Sequence, residues 1–290
     1  MKKFIFKIVN YTLLTICIMA LLYIAGTFYS ERHMPEADIY IWGDSQLCSG
    51  LDIKQLSDAT HKIVESSALH GSGVYDFLIF AECVKPKSIC IIAFPESAFY
   101  RNPNSDYSRS GMNLNVMLKL IKSGYSIKEV YNIFTLNQSK VIYKPFVNEN
   151  VIFPYSDTIV YNDSNLFYSA FHDKTSYSDW KICAYKIGLQ ELLEKECSVI
   201  IVRYPYHRNI EEIASGSINR HRSEALTVEL CENYDIDMIH YEIDSDSLLF
   251  HDFSHFNEIG VRKTTNCIIE ELSAFDTNKL IQISVARNDD

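Results

Sequence analysis

Short apolar runs alternate with amphipathic stretches along most of this chain. The run Ser-Ile-Cys-Ile-Ile-Ala-Phe at residues 88–94 is typical of a strand that is buried on both faces. Strands that alternate with helices predict an α/β domain, here a three-layer α/β/α arrangement with a mostly parallel, five-stranded sheet. The predicted strands are residues 38–42, 62–68, 88–94, 198–202 and 238–243, and the predicted helices are residues 51–60, 74–84, 220–234 and 260–272.

Residues 96–195 are too many for a single crossover between neighbouring strands. They contain a helical pattern at 114–133, a stretch rich in Tyr, Asn and Ser at 143–178, and another helical pattern at 180–195. We interpret this segment as an insertion over the active edge of the sheet. It is either a lid or substrate-binding flap, or it is packing and irregular surface, and both interpretations stay open.

The first thirty residues have a different pattern. Lys2, Lys3 and Lys7 precede residues 8–29, which carry no charge. At about 1.5 Å per residue, a helix of that length crosses about 30 Å of hydrocarbon. Ala25-Gly26-Thr27 is a weak cleavage site, so an uncleaved anchor is favoured over a signal peptide. The sequence predicts a single-pass anchor at 1–30 in the cytoplasmic (inner) membrane and a periplasmic or otherwise extracytoplasmic domain at 31–290.

The net charge bears on the class of ligand, and the cysteine content bears on disulfides and zinc sites. Residues 31–290 carry 37 Asp and Glu against 24 Lys and Arg, a formal charge of −13, which argues against nucleic acid as a ligand. The seven cysteines of this part are an odd number and form no CxxC motif. Neither a disulfide framework nor a zinc site is therefore indicated, and a single pairing such as Cys83 with Cys90 stays open.

Residue types that carry chemistry follow several of the predicted strands. Because parallel strands end at one edge of the sheet and ligands bind beyond that edge, we expect these side chains to lie close together. They are Ser45 after the first strand, Gly71 and Gly73 after the second, His207 and Arg208 after the fourth, and Asp252 and His255 after the fifth.

Ser45, His255 and Asp252 are the residue types of a nucleophile, a base and an orienting acid. His255 would remove the proton of the Ser45 hydroxyl, and Asp252 would hold one ring nitrogen so that the other faces the serine. The N–H groups of Ser45 and Gly73 are candidate donors to the oxyanion. The structural alternatives are a capping serine, a core or surface histidine, an N-cap aspartate and a turn glycine.

Two further pairs of residues have more than one interpretation. His207 and Arg208 are candidate substrate-binding residues, although a polar loop after a strand would look the same. His251 and His255 are spaced i, i+4, as two metal ligands on a helix would be, but no third ligand is evident. We therefore predict no metal and no cofactor.

The order of these motifs resembles that of the SGNH, or GDSL-type, hydrolase superfamily. Gly43-Asp44-Ser45 stands near the start, the glycine block follows strand two, and Asp252-Phe253-Ser254-His255 precedes the last helix. The resemblance covers residues 38–275, apart from 96–195. It implies Ser45 as nucleophile, Gly73 as oxyanion donor, Asp252 as orienting acid and His255 as base.

One block departs from that family. Its members usually have Gly-x-Asn-Asp after strand three, whereas this chain has Phe94-Pro95-Glu96-Ser97, with Asn102 as the nearest substitute donor. In this departure the chain resembles divergent, membrane-anchored members that work beside membrane-bound O-acyltransferases on exported polysaccharides. The resemblance implies an esterase or acetyltransferase acting on an acylated carbohydrate or cell-envelope glycan. The alternative is a binding or assembly subunit that has lost turnover, and a lipid-ester hydrolase is a third candidate.

Overall fold

The computed structural model describes residues 7, 9–21, 35–70, 72–99, 113–135, 151–155, 178–234, 236–240 and 247–274. Its centre is a parallel sheet in the strand order β2-β1-β3-β4-β5. Ile39 of β1 pairs with Val64 on one side and with Ile89 on the other. The predicted α/β class with a parallel sheet is confirmed. The strands are β1 Ile39–Trp42, β2 Val64–Ser66, β3 Ile89–Ala93, β4 Ser198–Arg203 and β5 Asp237–His240.

Helices cover both faces of the sheet because the strands are apolar on both sides. Tyr40 and Trp42 of β1 pack toward α3, α7 and α9, whereas Ile39 and Ile41 pack toward α2 and α10. The result is consistent with three α/β/α layers. The helices are α1 Ser45–Cys48, α2 Ile53–Thr60, α3 Val74–Cys83, α4 Glu96–Phe99, α5 Leu114–Lys122, α6 Ile127–Thr135, α7 Asp179–Glu194, α8 Arg208–Ala214, α9 Ile218–Tyr234 and α10 Glu258–Ala274, with a 3-10 turn at Ser247–Leu249.

Helix α7 belongs to the core rather than to an insertion. Its Tyr185 ring lies 4.9 Å from the Phe77 ring of α3, and Phe77 lies 4.7 Å from Trp42 of the sheet. A Cβ on Gly188 would stand 2.5 Å from the Phe77 ring, so glycine permits this close helix packing. The predicted insertion at 96–195 therefore extends too far, since α7 is a crossover helix between β3 and β4.

The predicted helix at 114–133 is two helices. Gly124 has φ +100°, a conformation that a helix cannot contain, and it separates α5 from α6. Val116 and Leu120 of α5 and Val130 of α6 are buried in the core next to α3. This part of the segment packs on the domain, whereas most of the Tyr-rich stretch at 143–178 lies outside the described residues.

Residues 9–21 are helical, and their large apolar side chains are exposed. No helix within the described part of the chain combines the length and the apolar character needed to cross a membrane. Residues 1–6, 8 and 22–30 of the predicted anchor lie outside the described residues.

Candidate active site

Ser45 is the first residue of α1, directly after the turn that follows β1. The Asp44 carboxylate accepts a hydrogen bond from Gln46 N at 3.0 Å and so caps this short helix. A Cβ on Gly43 would lie 2.5 Å from Leu47 Cβ and 3.0 Å from Ala93 Cβ, so only glycine fits between strand and helix. This tight turn places a half-buried Ser45 at the carboxyl edge of the sheet.

Asp252 lies within hydrogen-bond distance of the ring of His255. Its Oδ2 lies 2.7 Å from His255 Nδ1, and its Oδ1 accepts the N–H groups of Ser254 and His255 at 2.8 Å each. Burial acts to raise the pKa of Asp252, but the hydrogen bond and the charge of His255, with the two backbone donors, outweigh it and lower the pKa. With Nδ1 held by the carboxylate, Nε2 is the nitrogen left to accept a proton.

His255 Nε2 is buried and has no hydrogen-bond partner among the described residues. A buried ring nitrogen without a partner is unusual, and such groups are frequent where a proton is exchanged with a ligand or a nucleophile. The His70 ring, after β2, lies 5.8 Å from the His255 ring. The end of β2 therefore also contributes to the surroundings of this imidazole.

The turn that carries Ser45 is in contact with the loop that carries His255. Gln46, which follows Ser45, donates a hydrogen bond from Nε2 to the carbonyl oxygen of Ser254, which precedes His255, at 3.3 Å. The structure thus brings Ser45, Asp252 and His255 to the same edge of the sheet. No hydrogen bond joins the Ser45 hydroxyl to His255 Nε2 in this conformation.

Asn257 holds the loop that carries the acid and the base, a role that sequence reasoning missed. Its side chain is fully buried, donates to Leu248 O at 2.7 Å, and accepts from Ile259 N at 2.9 Å and Gly260 N at 3.2 Å. The amide therefore ties the 3-10 turn to the first turn of α10. An asparagine two residues after the histidine and just before a helix is the sequence signal for such a cap.

The structure corrects the prediction for Gly73. Its N–H donates to Asp76 Oδ2 at 3.0 Å, and Asp76 N donates back to Gly73 O at 2.9 Å. This reciprocal pair caps α3, so an oxyanion would have to compete with a carboxylate for the Gly73 donor. The Ser45 N–H has no acceptor among the described residues and remains a candidate donor. The other predicted donor, Asn102, lies outside the described residues.

His207 and Arg208 do not form a polar loop. Arg208 begins α8, is exposed, and pairs with Glu212 one turn later at 2.9 Å. The prediction that Arg208 binds substrate is therefore not supported, because its guanidinium is held along the outer surface of its own helix. His207 is buried instead, and its Nδ1 accepts from Asn209 N at 3.3 Å.

A buried ionic cluster stands where the resembled family has Gly-x-Asn-Asp. Glu96 Oε1 lies 3.2 Å from Arg203 Nη2, and Glu96 Oε2 lies 2.6 Å from Arg220 Nη1. Arg220 also pairs with Glu211. Burial acts to lower the pKa of Arg220, but the two carboxylates outweigh it and raise the pKa. Charged residues this far apart in the chain carry no sequence signal of their pairing, so this cluster was not predicted.

Residues 151–155 lie against the loop that carries His255. Phe153 O accepts from Glu258 N at 2.8 Å, and the Phe153 ring is parallel to the His251 ring at 4.2 Å. The same phenyl ring lies 5.8 Å from the His255 ring. This part of the segment before α7 therefore packs against the candidate base, and the remainder of residues 136–177 lies outside the described residues.

The lowered pKa of Asp252 predicts a pH-dependent stability. A carboxyl group whose pKa is lower in the folded chain stabilises the fold above its unfolded pKa, and this contribution is lost as pH falls through the folded value. We expect Asp252→Asn to lower the free energy of unfolding by about 1 kcal/mol at pH 7. The difference from the unaltered protein should begin to shrink below about pH 4 and should be lost once pH has fallen through the lowered pKa of the folded carboxyl, which is then neutral. Urea unfolding at several pH values measures it, and a difference independent of pH would contradict it.

The arrangement has the parts needed for nucleophilic catalysis at an acyl group: a serine on a tight turn, and a histidine held by a carboxylate with its other nitrogen unpartnered. Among the described residues, no group of three or more His, Cys, Asp or Glu side chains is placed to hold a metal ion. A comparison of the chain with known protein-family models and with curated proteins found no match.

Proposed function

We propose that this protein is a serine-dependent acyl-ester hydrolase or acyltransferase. The observation that carries the proposal is the hydrogen bond of 2.7 Å between Asp252 and His255 Nδ1, which leaves Nε2 unpartnered on a loop that is hydrogen-bonded to the turn that carries Ser45. That arrangement suits a histidine that accepts a proton from a nearby hydroxyl.

In the proposed reaction, the Ser45 oxygen attacks the carbonyl carbon of an ester while His255 Nε2 takes the hydroxyl proton. The tetrahedral intermediate expels the alcohol, which receives that proton, and leaves an acyl-serine. Water or a second alcohol then attacks the acyl-serine under base catalysis by His255 and releases Ser45. Asp252 keeps the ring oriented and stabilises its cationic form throughout. The proposed reaction requires the Ser45 hydroxyl to come within hydrogen-bond distance of Nε2, and the two segments that carry these residues are already joined by the hydrogen bond from Gln46 Nε2 to Ser254 O.

The substrate class rests on the resemblance to the SGNH superfamily. We propose a small acyl group on an exported carbohydrate or cell-envelope glycan, with a membrane-bound O-acyltransferase as partner. Residues 8–29 would anchor the chain in the membrane, and the apolar side chains exposed along residues 9–21 support that proposal.

A fluorophosphonate probe tests the proposal. We expect it to label the unaltered protein and to fail to label Ser45→Ala, because the probe reacts only with an activated serine. Ser254→Ala is the matched control: its hydroxyl lies 3.3 Å from His255 Nδ1, the nitrogen that faces Asp252, so labelling should persist. Labelling that survives in Ser45→Ala and disappears in Ser254→Ala would show that the nucleophile was assigned wrongly.

A binding or assembly subunit is the second candidate. It is favoured by the Gly73 N–H that is bonded to Asp76 and by the ionic cluster of Glu96 in place of an asparagine donor. A folded protein that neither reacts with the probe nor hydrolyses acetylated sugars would favour this second candidate.

A further inference from the structure

His207 is buried and has one ring nitrogen without a hydrogen-bond partner. The residue is 4% exposed, and its buried Nε2 has no partner among the described residues. A buried polar atom left unpaired destabilises a folded protein, because it has lost its hydrogen bonds to water and gained none in return. Such an atom in a native fold calls for an explanation, and a bound ligand is one.

The protonation of His207 follows from its other nitrogen. Nδ1 accepts the N–H of Asn209 at 3.3 Å, so a neutral ring carries its proton on Nε2. Burial lowers the pKa of His207, which keeps the ring neutral near pH 7. The unpartnered atom is therefore an N–H donor, in contrast to His255 Nε2, which is placed to accept a proton.

His207 is attached to the loop that carries the candidate acid and base. Its backbone N–H donates to Phe253 O at 2.9 Å, and the next carbonyl of that loop, Ser254 O, accepts from Gln46 Nε2. Two successive carbonyl groups of the loop thus accept hydrogen bonds, one from the backbone of His207 and the other from the side chain of Gln46, which follows Ser45 in the chain. The His207 ring packs against Phe250 at 5.6 Å and Phe253 at 5.8 Å, so water is largely excluded around it.

We propose that His207 Nε2–H donates a hydrogen bond to the carbonyl oxygen of the substrate as negative charge develops on it. This inference rests on the proposed function. It identifies a side-chain hydrogen-bond donor to the oxyanion, which the proposed reaction otherwise lacks. A neutral donor held by a capping bond would act beside the Ser45 N–H, in place of the asparagine that this chain does not have after β3. A weak contact of the N–H with the face of Phe250 is the structural alternative, since those two rings are perpendicular.

Two substitutions at the same position separate these roles. Asn in place of His207 can still accept from Asn209 N, but its side chain is too short to donate from the position of Nε2. Gln places an amide N–H near Nε2 and gives up the cap. With 4-nitrophenyl acetate as substrate, we expect His207→Asn to lower kcat by about 100-fold and to leave KM within about threefold. We expect His207→Gln to retain at least about a tenth of kcat and to unfold at a lower temperature.

The opposite pattern would overturn the proposal. If His207→Asn keeps wild-type kcat, or if both folded variants lose kcat equally, His207 acts through its cap or its packing. Thermal unfolding of each variant shows whether it is folded. If His207→Asn does not fold, His207→Gln is compared with His207→Leu instead. In that comparison, we expect His207→Gln to retain kcat and His207→Leu to lose it.

A second measurement separates failure of this inference from failure of the proposed function. If the unaltered protein neither reacts with a fluorophosphonate nor cleaves 4-nitrophenyl acetate, the proposed function is wrong. The proton resonance of His207 Nε2–H is therefore also followed in Ser45→Ala as sodium acetate is added. A saturable shift of that resonance supports a donor that faces a carboxylate or oxyanion pocket, and an unchanged resonance overturns it.

Discussion

Replacing His255 with alanine should lower kcat for 4-nitrophenyl acetate by about 10³-fold. In the proposed reaction the imidazole takes the Ser45 proton: Asp252 holds Nδ1 at 2.7 Å and leaves Nε2 without a partner among the described residues. General acid–base catalysis by a positioned side chain contributes about 10² to 10⁴ in rate. Since that contribution is made in the transition state, kcat should fall much more than KM rises. Steady-state kinetics with purified protein measures both constants.

His251→Ala is the matched control for that substitution. His251 lies four residues earlier on the same loop and has its ring stacked on Phe153, and no hydrogen bond joins it to Asp252. We expect its removal to lower kcat by less than about tenfold, through loss of packing over the loop. Imidazole added to His255→Ala should restore part of the activity, because the cavity left by the ring adjoins the same carboxylate. If His255→Ala retains more than a tenth of the wild-type kcat, another group serves as the base.

Replacing Glu96 with alanine should lower the free energy of unfolding by about 3–5 kcal/mol. The substitution leaves Arg203 without its carboxylate partner and Arg220 with Glu211 and, at 3.7 Å, the more exposed Glu224, and both guanidinium groups are more than nine-tenths buried. Removal of one member of a buried ion pair is costly because the remaining charge has lost its water and is not compensated. Urea unfolding followed by circular dichroism measures the change.

Glu212→Ala is the control for the cluster. Glu212 pairs with Arg208 on the exposed side of α8, where both side chains are more than 60% accessible to solvent. An exposed pair contributes about 0–1 kcal/mol, so its loss should be near the limit of measurement. Glu96→Gln should fall between the two, since it keeps hydrogen-bonding atoms but removes the charge. Equal stability of Glu96→Ala and Glu212→Ala would mean that the cluster does not stabilise the fold.

The cluster also bears on the site, because it joins three elements at the carboxyl edge. Glu96 follows β3, Arg203 ends β4, and Arg220 lies in α9. Glu211 accepts from Tyr206 N at 2.9 Å, which fixes the backbone just before His207. We therefore expect substitutions in the cluster to alter the position of His207 as well as the stability of the domain.

Local patterns were enough to predict the sheet. A continuous run of apolar residues such as 88–94 buries its side chains on both faces only when a strand lies between two covering layers. Strand β3 lies within that run. The same reasoning predicted that Ser45 and His255 would come to one edge, since parallel strands begin and end together. The hydrogen bond between Asp252 and His255 was also predictable, because three residues of spacing in a tight loop keep both side chains in reach.

Two local features and one contact between distant segments were not predicted from the sequence. Gly73 looked like a free donor, and only the turn of α3 showed that Asp76 takes its N–H. The apolar spacing at 114–133 continues through Gly124, whose positive φ of +100° ends the first of the two helices there. Phe153 is one of many aromatic residues in the chain, and its place over the His255 loop follows from a backbone hydrogen bond to Glu258.

By itself, the sequence of this protein determined the α/β class, the positions of the strands along the chain and the edge of the sheet on which Ser45 and His255 lie. Apolar spacing carries that information because burial is decided residue by residue along each element. Tertiary structure alone decided which donors stay free, which charges pair, and which ring nitrogens lack partners. Those outcomes depend on contacts between residues far apart in the chain, such as Glu96 with Arg220 and Gln46 with Ser254, and no local pattern encodes the distance between them.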